Sequence, residues 1–374
     1  MELKISVQEL SRALGRSQGI VEKKSTMPIL SHVLVEAHKS GELIVSATDL
    51  DVAVQGQHQC ESVAKEGKVA VPARSLFDIV KSLPEASASL RKAQNNYLEV
   101  RSGAADFRIV GLPAEDFPAL PKPEKVPFVQ VDAATMLGLI ERTSFAVSSD
   151  ETRYNLNGVF FETQGEKLRL VATDGHRLSL AEADSPGDYK LKKGVLLPKK
   201  GLIELKKLLA EAVEGGEEKP SAELGFVESS AVVRRAGVTL VMRLIEGMFP
   251  DYRQVIPKAG DKVLKVGRAR FLETLRRVSL LASDKSHAVK LELGKGNLRV
   301  ISQNPDLGEA KEDVTVEYQG EPLKIGFNAR YLIDVLQVLG AEDMTFELAD
   351  DLSPGVLKPA GEEGYTAVVM PMRI

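Results

Sequence analysis

The 374-residue chain is poor in sulfur chemistry, with Cys60 its only cysteine. One cysteine permits no intrachain disulfide and no thiolate metal site. Tryptophan is absent and aromatics make up 5% of residues, too few for a platform on which single-stranded bases stack. No apolar run reaches the roughly 18–20 residues of a membrane-spanning helix. The opening MELKISVQEL has neither the basic stretch nor the apolar core of a secretory signal. A cytoplasmic location with no membrane partner is therefore expected. His32, His38, His58, His176 and His287 are not spaced with carboxylates or Cys60 as zinc ligands would be. The glycine-rich phosphate loops and the Gly-x-Ser-x-Gly elbow are missing too, so no cofactor and no metal are expected. The net charge of −4 lacks the basic excess of a generic nucleic-acid binder.

What the chain does have is a repeat. GKVAVPARSLFDIVKSLP from 67, KGVLLPKKGLIELKKLLAE from 193 and LKIGFNARYLIDVLQVLG from 323 share one pattern. Each is a short apolar strand followed by a helix whose apolar residues form a stripe, as Leu202, Leu205, Leu208 and Leu209 do. ELIVSATDLDVAV from 42 and KLRLVATDGHRLSL from 167 share a strand ending in Ala-Thr-Asp, and NLRVISQNPDLGEA from 297 is a weaker third copy. Matching positions lie about 125–130 residues apart, the mark of one unit used three times. Proline-rich FPALPKPEKVP (117–127) and FPDYRQVIPKAGDK (249–262) read as linkers. The expected fold is α+β: three similar domains over 1–122, 128–255 and 258–374, with antiparallel pairing rather than βαβ winding. In the strand from Leu168, alternation sets Leu168, Leu170 and Ala172 against Arg169 and Val171. Residues 212–216 read as a loop after the second copy's helix.

Charge is unevenly distributed. Six helix windows (6–18, 73–84, 132–147, 198–213, 268–282 and 328–340) hold 14 Lys and Arg against 8 Asp and Glu; the remainder holds 35 against 45. The carriers include Arg12, Arg16, Arg74, Arg142, Lys199, Lys200, Lys206, Lys207, Arg276 and Arg277. Helices sharing a surface would attract phosphate without regard to base sequence, although Lys and Arg also suit any solvated helix face.

Two stretches stand out. Asp174 and His176 could form a general-base pair of a hydrolase, with Arg177 binding an anion. Yet Thr48-Asp49 repeats the Thr-Asp pair, so that aspartate reads as a turn-former bonding nearby backbone N–H groups. Only Gly175-His176-Arg177 is peculiar to the middle copy, which suits a binding site. The tail YTAVVMPMRI stays apolar to its end, unlike most termini. It reads as a docked strand over Ala367–Met370, with Pro371–Ile374 lining a groove where methionine tolerates several partners.

RYNLNGVFFE, VATDGHRL, FPDYRQVIPK, IGFNARYLIDVL and VVMPMRI together resemble the bacterial DNA polymerase III β subunits, the sliding clamps, from MPIL at 27–30 to the last residue. The resemblance implies a non-catalytic, nucleoid-associated protein. Two chains would join head to tail in a ring of six similar domains, with two helices of each on the inner face and antiparallel sheets outside. Such a ring encircles double-stranded DNA without base specificity and tethers the replicative polymerase, the clamp loader and other DNA enzymes through short peptide motifs of the Gln-Leu-x-Leu-Phe kind. It implies a peptide pocket between the second and third domains, formed by Leu156, Thr173, Gly175, His176, Arg177, Leu178, Pro250, Val255, Tyr331, Val368, Val369, Met370, Pro371, Met372 and Arg373. It further implies DNA contacts at Lys24, Arg74, Tyr154, Lys199 and Lys200, and a subunit interface at Phe107, Ile109, Leu280 and Leu281. Asn155, where familiar members carry Tyr, and Gln254, where they often carry Arg, depart from the pattern and bear on partner preference. An open DNA-binding scaffold and a hydrolase are the alternative readings.

Overall fold

The structure, a computed structural model, describes every residue except 23–25, 122–124, 259, 284–285 and 374. The first repeat runs β1 (Glu2–Ser6), α1 (Val7–Ser17), β2 (His32–Ala37), β3 (Glu42–Thr48), β4 (Val52–Gln59), β5 (Ser62–Lys65), β6 (Gly67–Pro72), α2 (Ala73–Lys81), β7 (Ser87–Lys92), β8 (Leu98–Ser102) and β9 (Ala105–Ile109). The second runs β10 (Val129–Asp132), α3 (Ala133–Ser144), β11 (Gly158–Gln164), β12 (Lys167–Thr173), β13 (Arg177–Asp184), β14 (Val195–Pro198), α4 (Lys199–Glu214), β15 (Ser221–Val227), β16 (Ser230–Arg235) and β17 (Val238–Arg243). The third runs β18 (Lys262–Gly267), α5 (Arg268–Val278), β19 (Ala288–Gly294), β20 (Asn297–Asn304), β21 (Gly308–Thr315), β22 (Leu323–Asn328), α6 (Ala329–Val338), β23 (Asp343–Leu348), β24 (Gly355–Pro359) and β25 (Tyr365–Val369).

Local chemistry explains the helices. Ser6 caps α1, its Oγ accepting the Glu9 N–H at 3.1 Å, and Leu10, Ala13, Leu14 and Ser17 form the buried stripe at helical spacing. Asn328 caps α6 in the same way, with the Arg330 N–H at 2.9 Å, and Leu332, Val335 and Leu336 are buried. Each fully buried leucine of these stripes contributes about 1.5–3 kcal/mol.

The chain divides into two compact units. One comprises Met1–Ala134, Pro186–Lys190 and Lys200–Leu244. Its sheets are ordered β5-β1-β7-β8-β9 and β10-β15-β16-β17-β4-β3-β2-β6. The eight-stranded sheet is two four-stranded halves, one from each of the first two repeats. They meet where β17 pairs antiparallel with β4, Val241 opposite Ala53. The other unit comprises Thr135–Ser185, Leu191–Lys199 and Ile245–Ile374, with sheets β14-β11-β12-β13-β25-β24-β23-β18 and β21-β20-β19-β22. Here the halves meet where β13 pairs antiparallel with β25, Leu178 opposite Val368. Strands β9 and β21 are each the end of a sheet, with no ladder on their outer side among the described residues.

Three sequence expectations need correction. The proline-rich segments are not bare linkers. Phe117 is buried among Ile29, Leu30 and Ala70, and Tyr252 is buried with Phe249 and Ile256 against it. Burial of these aromatics offsets the entropy of ordering the segments. Val171 belongs to the same cluster as Tyr252, so β12 is covered on both faces. Helix α4 runs to Glu214 because buried Ala212 prolongs its apolar stripe. Among the described residues no helix is long and apolar enough to cross a membrane.

Candidate functional site

The Thr-Asp turn is built identically in two repeats. After β3, Asp49 Oδ1 accepts the N–H groups of Asp51 (3.0 Å) and Val52 (2.7 Å), and Thr48 Oγ1 accepts that of Leu50 at 3.0 Å. After β12, Asp174 Oδ1 accepts those of His176 (2.9 Å) and Arg177 (3.0 Å), and Thr173 Oγ1 accepts that of Gly175 at 3.1 Å. The turn forces its third residue into the left-handed region, φ +89° at Gly175 and +83° at Leu50, where glycine alone avoids a Cβ penalty. The aspartate is thus a turn-former. Asp174 holds the backbone of His176 rather than its ring, and that ring lies against Tyr331, centroids 6.4 Å apart and 19° from parallel. The oriented Asp–His pair that a hydrolase needs is not made.

Arg177 is the centre of the site. Its Nε donates to Asp174 Oδ2 at 3.1 Å, Nη1 to Asp334 Oδ2 at 2.5 Å and Nη2 to the Phe145 carbonyl at 2.7 Å. The guanidinium also lies over the rings of Tyr331 (4.5 Å) and Phe145 (5.2 Å), an arrangement that favours arginine over lysine. Burial raises the Tyr331 hydroxyl above its ordinary pKa. Helix α6 presents Tyr331 and Asp334 three residues apart, hence on one face. Sequence reasoning missed Asp334 and Phe145, although the i, i+3 spacing from Tyr331 was a usable signal.

The fifteen residues expected to form a pocket separate into a buried set and an exposed or half-buried set. Leu156, Thr173, Leu178, Val368 and Val369 are buried in the folded chain. Leu178 and Val368 cluster with Val171, Leu180 and Tyr252. Behind them Phe249 stacks on Phe160 with centroids 5.0 Å apart. The Tyr252 hydroxyl bonds Glu162, which also accepts Arg253 Nη2 at 2.9 Å. Burial, then that carboxylate, raises the Tyr252 pKa. Gly175, His176, Pro250, Val255, Met370 and Arg373 are exposed, and Arg177, Tyr331, Pro371 and Met372 half-buried. The tail is tied down: Met370 N–H donates to the His176 carbonyl at 2.9 Å and Met372 N–H to that of Gly326 at 2.8 Å. Met248, 85% exposed, was not foreseen; its carbonyl accepts Asn155 Nδ2 at 3.2 Å. Gln254 Nε2 donates to Asp251 Oδ2 at 2.9 Å. The first repeat carries Ser46, Ala53 and Gln55 where the second has Val171, Leu178 and Leu180. It has the same turn without these apolar side chains of the cluster.

The expected DNA contacts and interface residues divide differently. Arg74, Tyr154 and Lys199 are exposed. Lys200 Nζ bonds the Asp49 carboxylate and, at 2.8 Å, the Ile20 carbonyl. Lys24 lies outside the described residues. Several helix cations are paired: Arg12 with Glu9 (3.1 Å), Arg16 with Glu211 (2.6 Å), Arg142 with Glu362 (3.6 Å), Lys207 with Glu204 (2.8 Å) and Arg277 with Glu312 (2.7 Å). The helix charge excess is accordingly smaller in effect than its count. At the sheet ends, Ile109 is buried and Phe107 half-buried on β9. Leu280, 77% exposed, and half-buried Leu281 follow α5. Among the described residues no group of three His, Cys, Asp or Glu side chains could hold a metal.

Comparison with known proteins decides the family. Three models match in order: the N-terminal domain of the DNA polymerase III beta subunit over residues 1–121, its central domain over 130–251 and its C-terminal domain over 253–373. The chain belongs to the DNA polymerase III beta subunit family. The beta sliding clamps of Pseudomonas putida and Escherichia coli K12 are 37% and 34% identical to it, over the full length of both chains in each case. The solved sliding clamp of Pseudomonas aeruginosa matches with TM-score 0.91 and 36% identity. The DnaN clamp of Bartonella birtlesii, bound to griselimycin, matches with 0.93 and 35%; both comparisons cover all of either chain. The fold is the three-domain clamp fold, and the family's members are processivity factors, not enzymes.

Proposed function

We propose that two copies of this beta sliding clamp close head to tail around duplex DNA, each built of domains over 1–122, 128–255 and 258–374. The observation that carries the reading is the pattern of strand pairing. β17, the last strand of the second repeat, pairs with β4 of the first; β25, the last of the third, pairs with β13 of the second. By the same rule β9 and β21 are the two strands left without a partner half. A second copy supplies the missing half at each, and two such seams complete the series and close the ring. Leu280 and Phe107 supply apolar contact there. A ring held by topology needs only weak phosphate contacts of the kind exposed Arg74, Lys199 and Tyr154, together with Lys24, can make.

The groove of the second unit is the tether. Its apolar floor and exposed methionine and histidine rim suit short peptide tails from the polymerase, the clamp loader and other DNA enzymes, anchored by leucine or aromatic side chains. A relative of the same fold is bound to griselimycin, a peptide-like ligand, which supports a peptide groove. A tethered polymerase meets its primer end at an effective concentration on the order of mM, so it rebinds before escaping.

Native mass spectrometry tests the closure. Wild type is expected at the mass of two chains, and Leu280→Asp or Phe107→Asp at the mass of one with an unchanged circular-dichroism spectrum. A wild-type monomer at micromolar concentration, or dimers indifferent to both substitutions, would overturn it.

A further inference from the structure

We propose that the groove rim is a site of methionine oxidation, at which a peroxide converts Met248, Met370 and Met372 to sulfoxides and thereby weakens peptide binding. The inference rests on the groove reading given above and adds a regulatory chemistry to it. The distribution of sulfur carries it. Met1, Met136, Met242 and Met344 are between 0% and 6% exposed, locked in the core. The other four methionines are accessible: Met27 is 45% exposed and stands apart in sequence, while Met248 (85%), Met370 (38%) and half-buried Met372 all belong to the groove's unit. The competing thiol is inert, since Cys60 is buried and burial pushes its pKa up to about 11; thiolate, not thiol, is the reactive form. Three of the four accessible methionines therefore lie in the groove's unit.

Geometry places these sulfurs where a change in polarity is felt. Met370 follows β25 directly, and its N–H is fixed to the His176 carbonyl at 2.9 Å. Met372 is fixed in turn to Gly326. Met248 sits between Gly247, which packs on the Tyr154 ring, and Phe249, which packs on the groove floor. The backbones are held, so each sulfur stays within one side-chain length of a fixed main-chain position. In the step itself the sulfide donates a lone pair to one peroxide oxygen, the O–O bond breaks, and one sulfoxide and one water (or alcohol) result. An apolar, flexible thioether becomes a polar S=O that loses its hydrogen bonds to water when a leucine or phenylalanine covers it. A thiol-dependent methionine sulfoxide reductase reverses the step, two thiols becoming a disulfide and water.

The test uses the whole protein and a fluorescent Gln-Leu-Ser-Leu-Phe peptide. Graded hydrogen peroxide is applied, oxidised residues are located by peptide mapping, and affinity is read by anisotropy. Sulfoxide at Met248, Met370 and Met372 is expected before any at the buried methionines, with affinity falling about tenfold or more and returning after reductase treatment. The triple substitution Met248→Leu, Met370→Leu and Met372→Leu, whatever its own starting affinity, should lose none of it on peroxide treatment. Oxidised wild type that binds as well as untreated protein, or a triple variant that loses as much as wild type, overturns the proposal. Untreated protein that does not bind the peptide overturns the groove reading itself.

Discussion

Replacing Arg177 with methionine keeps the length and apolar body of the side chain and removes the charge that joins β13, α6 and the Phe145 loop. The guanidinium is 11% exposed and makes three bonds, at 3.1, 2.5 and 2.7 Å. A hydrogen bond to a charged group is worth about 1.5–3 kcal/mol, and the relieved desolvation of a buried cation gives part of that back. Asp174 is not orphaned, because two backbone N–H groups remain on its Oδ1. Asp334, 36% exposed, turns to water. The net loss expected is about 2–4 kcal/mol. Urea denaturation followed by far-UV circular dichroism measures it, since the chain has no tryptophan to report. Asp334→Asn alone should cost less than Arg177→Met, and the double variant should cost less than the two together by about 1 kcal/mol. A loss under about 0.5 kcal/mol for Arg177→Met, or strict additivity in the cycle, would refute the view that this arginine is the site's tie-point.

Floor and rim should separate by phenotype. Leu178→Ala, at a position 2% exposed, is expected to cost about 2–5 kcal/mol of stability. Met370→Ala is expected to leave stability within about 0.5 kcal/mol and to weaken peptide binding. Denaturation and anisotropy on both variants decide it. Arg277, helped by Thr274 and Arg270, holds the Glu312 carboxylate down to about 2 from an ordinary 4.5. Its contribution is present above pH 4.5 and lost as pH falls toward 2. Glu312→Gln should therefore flatten the acid side of a stability–pH curve in that window, by about 1 kcal/mol after solvent screening. Leu50→Gly should stabilise by about 0.5–1 kcal/mol, read as a raised melting temperature, because Leu50 occupies a left-handed φ of +83°.

How much of this was legible in the sequence follows from the range of each interaction. The six helices and the antiparallel strands were readable because their signals are local: apolar stripes at helical spacing and alternation at spacing two. Asp49 and Asp174 were readable as turn-formers because each bonds residues two and three positions on. Packing between distant segments was hidden. Phe117 and Tyr252 sit in proline-rich stretches that read as linkers, and only the folded chain shows the surfaces they cover. Val171 read as outward-facing for the same reason. Lys200 read only as a helix cation and expected DNA contact, because its partner, Asp49, lies 151 residues away. Asp334, which Arg177 reaches across 157 residues, left no trace in local pattern beyond its spacing from Tyr331. The joining of β4 to β17 and of β13 to β25 was equally invisible, because register between remote strands has no local signature.

Those two seams, and the third they imply, make a closed ring the central claim. The most direct measurement loads labelled protein onto nicked circular DNA with a bacterial clamp loader, isolates the complex in high salt, and cuts the circle once. Retention on the circle and rapid loss from the linear product are expected, since salt removes phosphate contacts but not a topological link. Equal retention on both forms, or none on the circle, would contradict it.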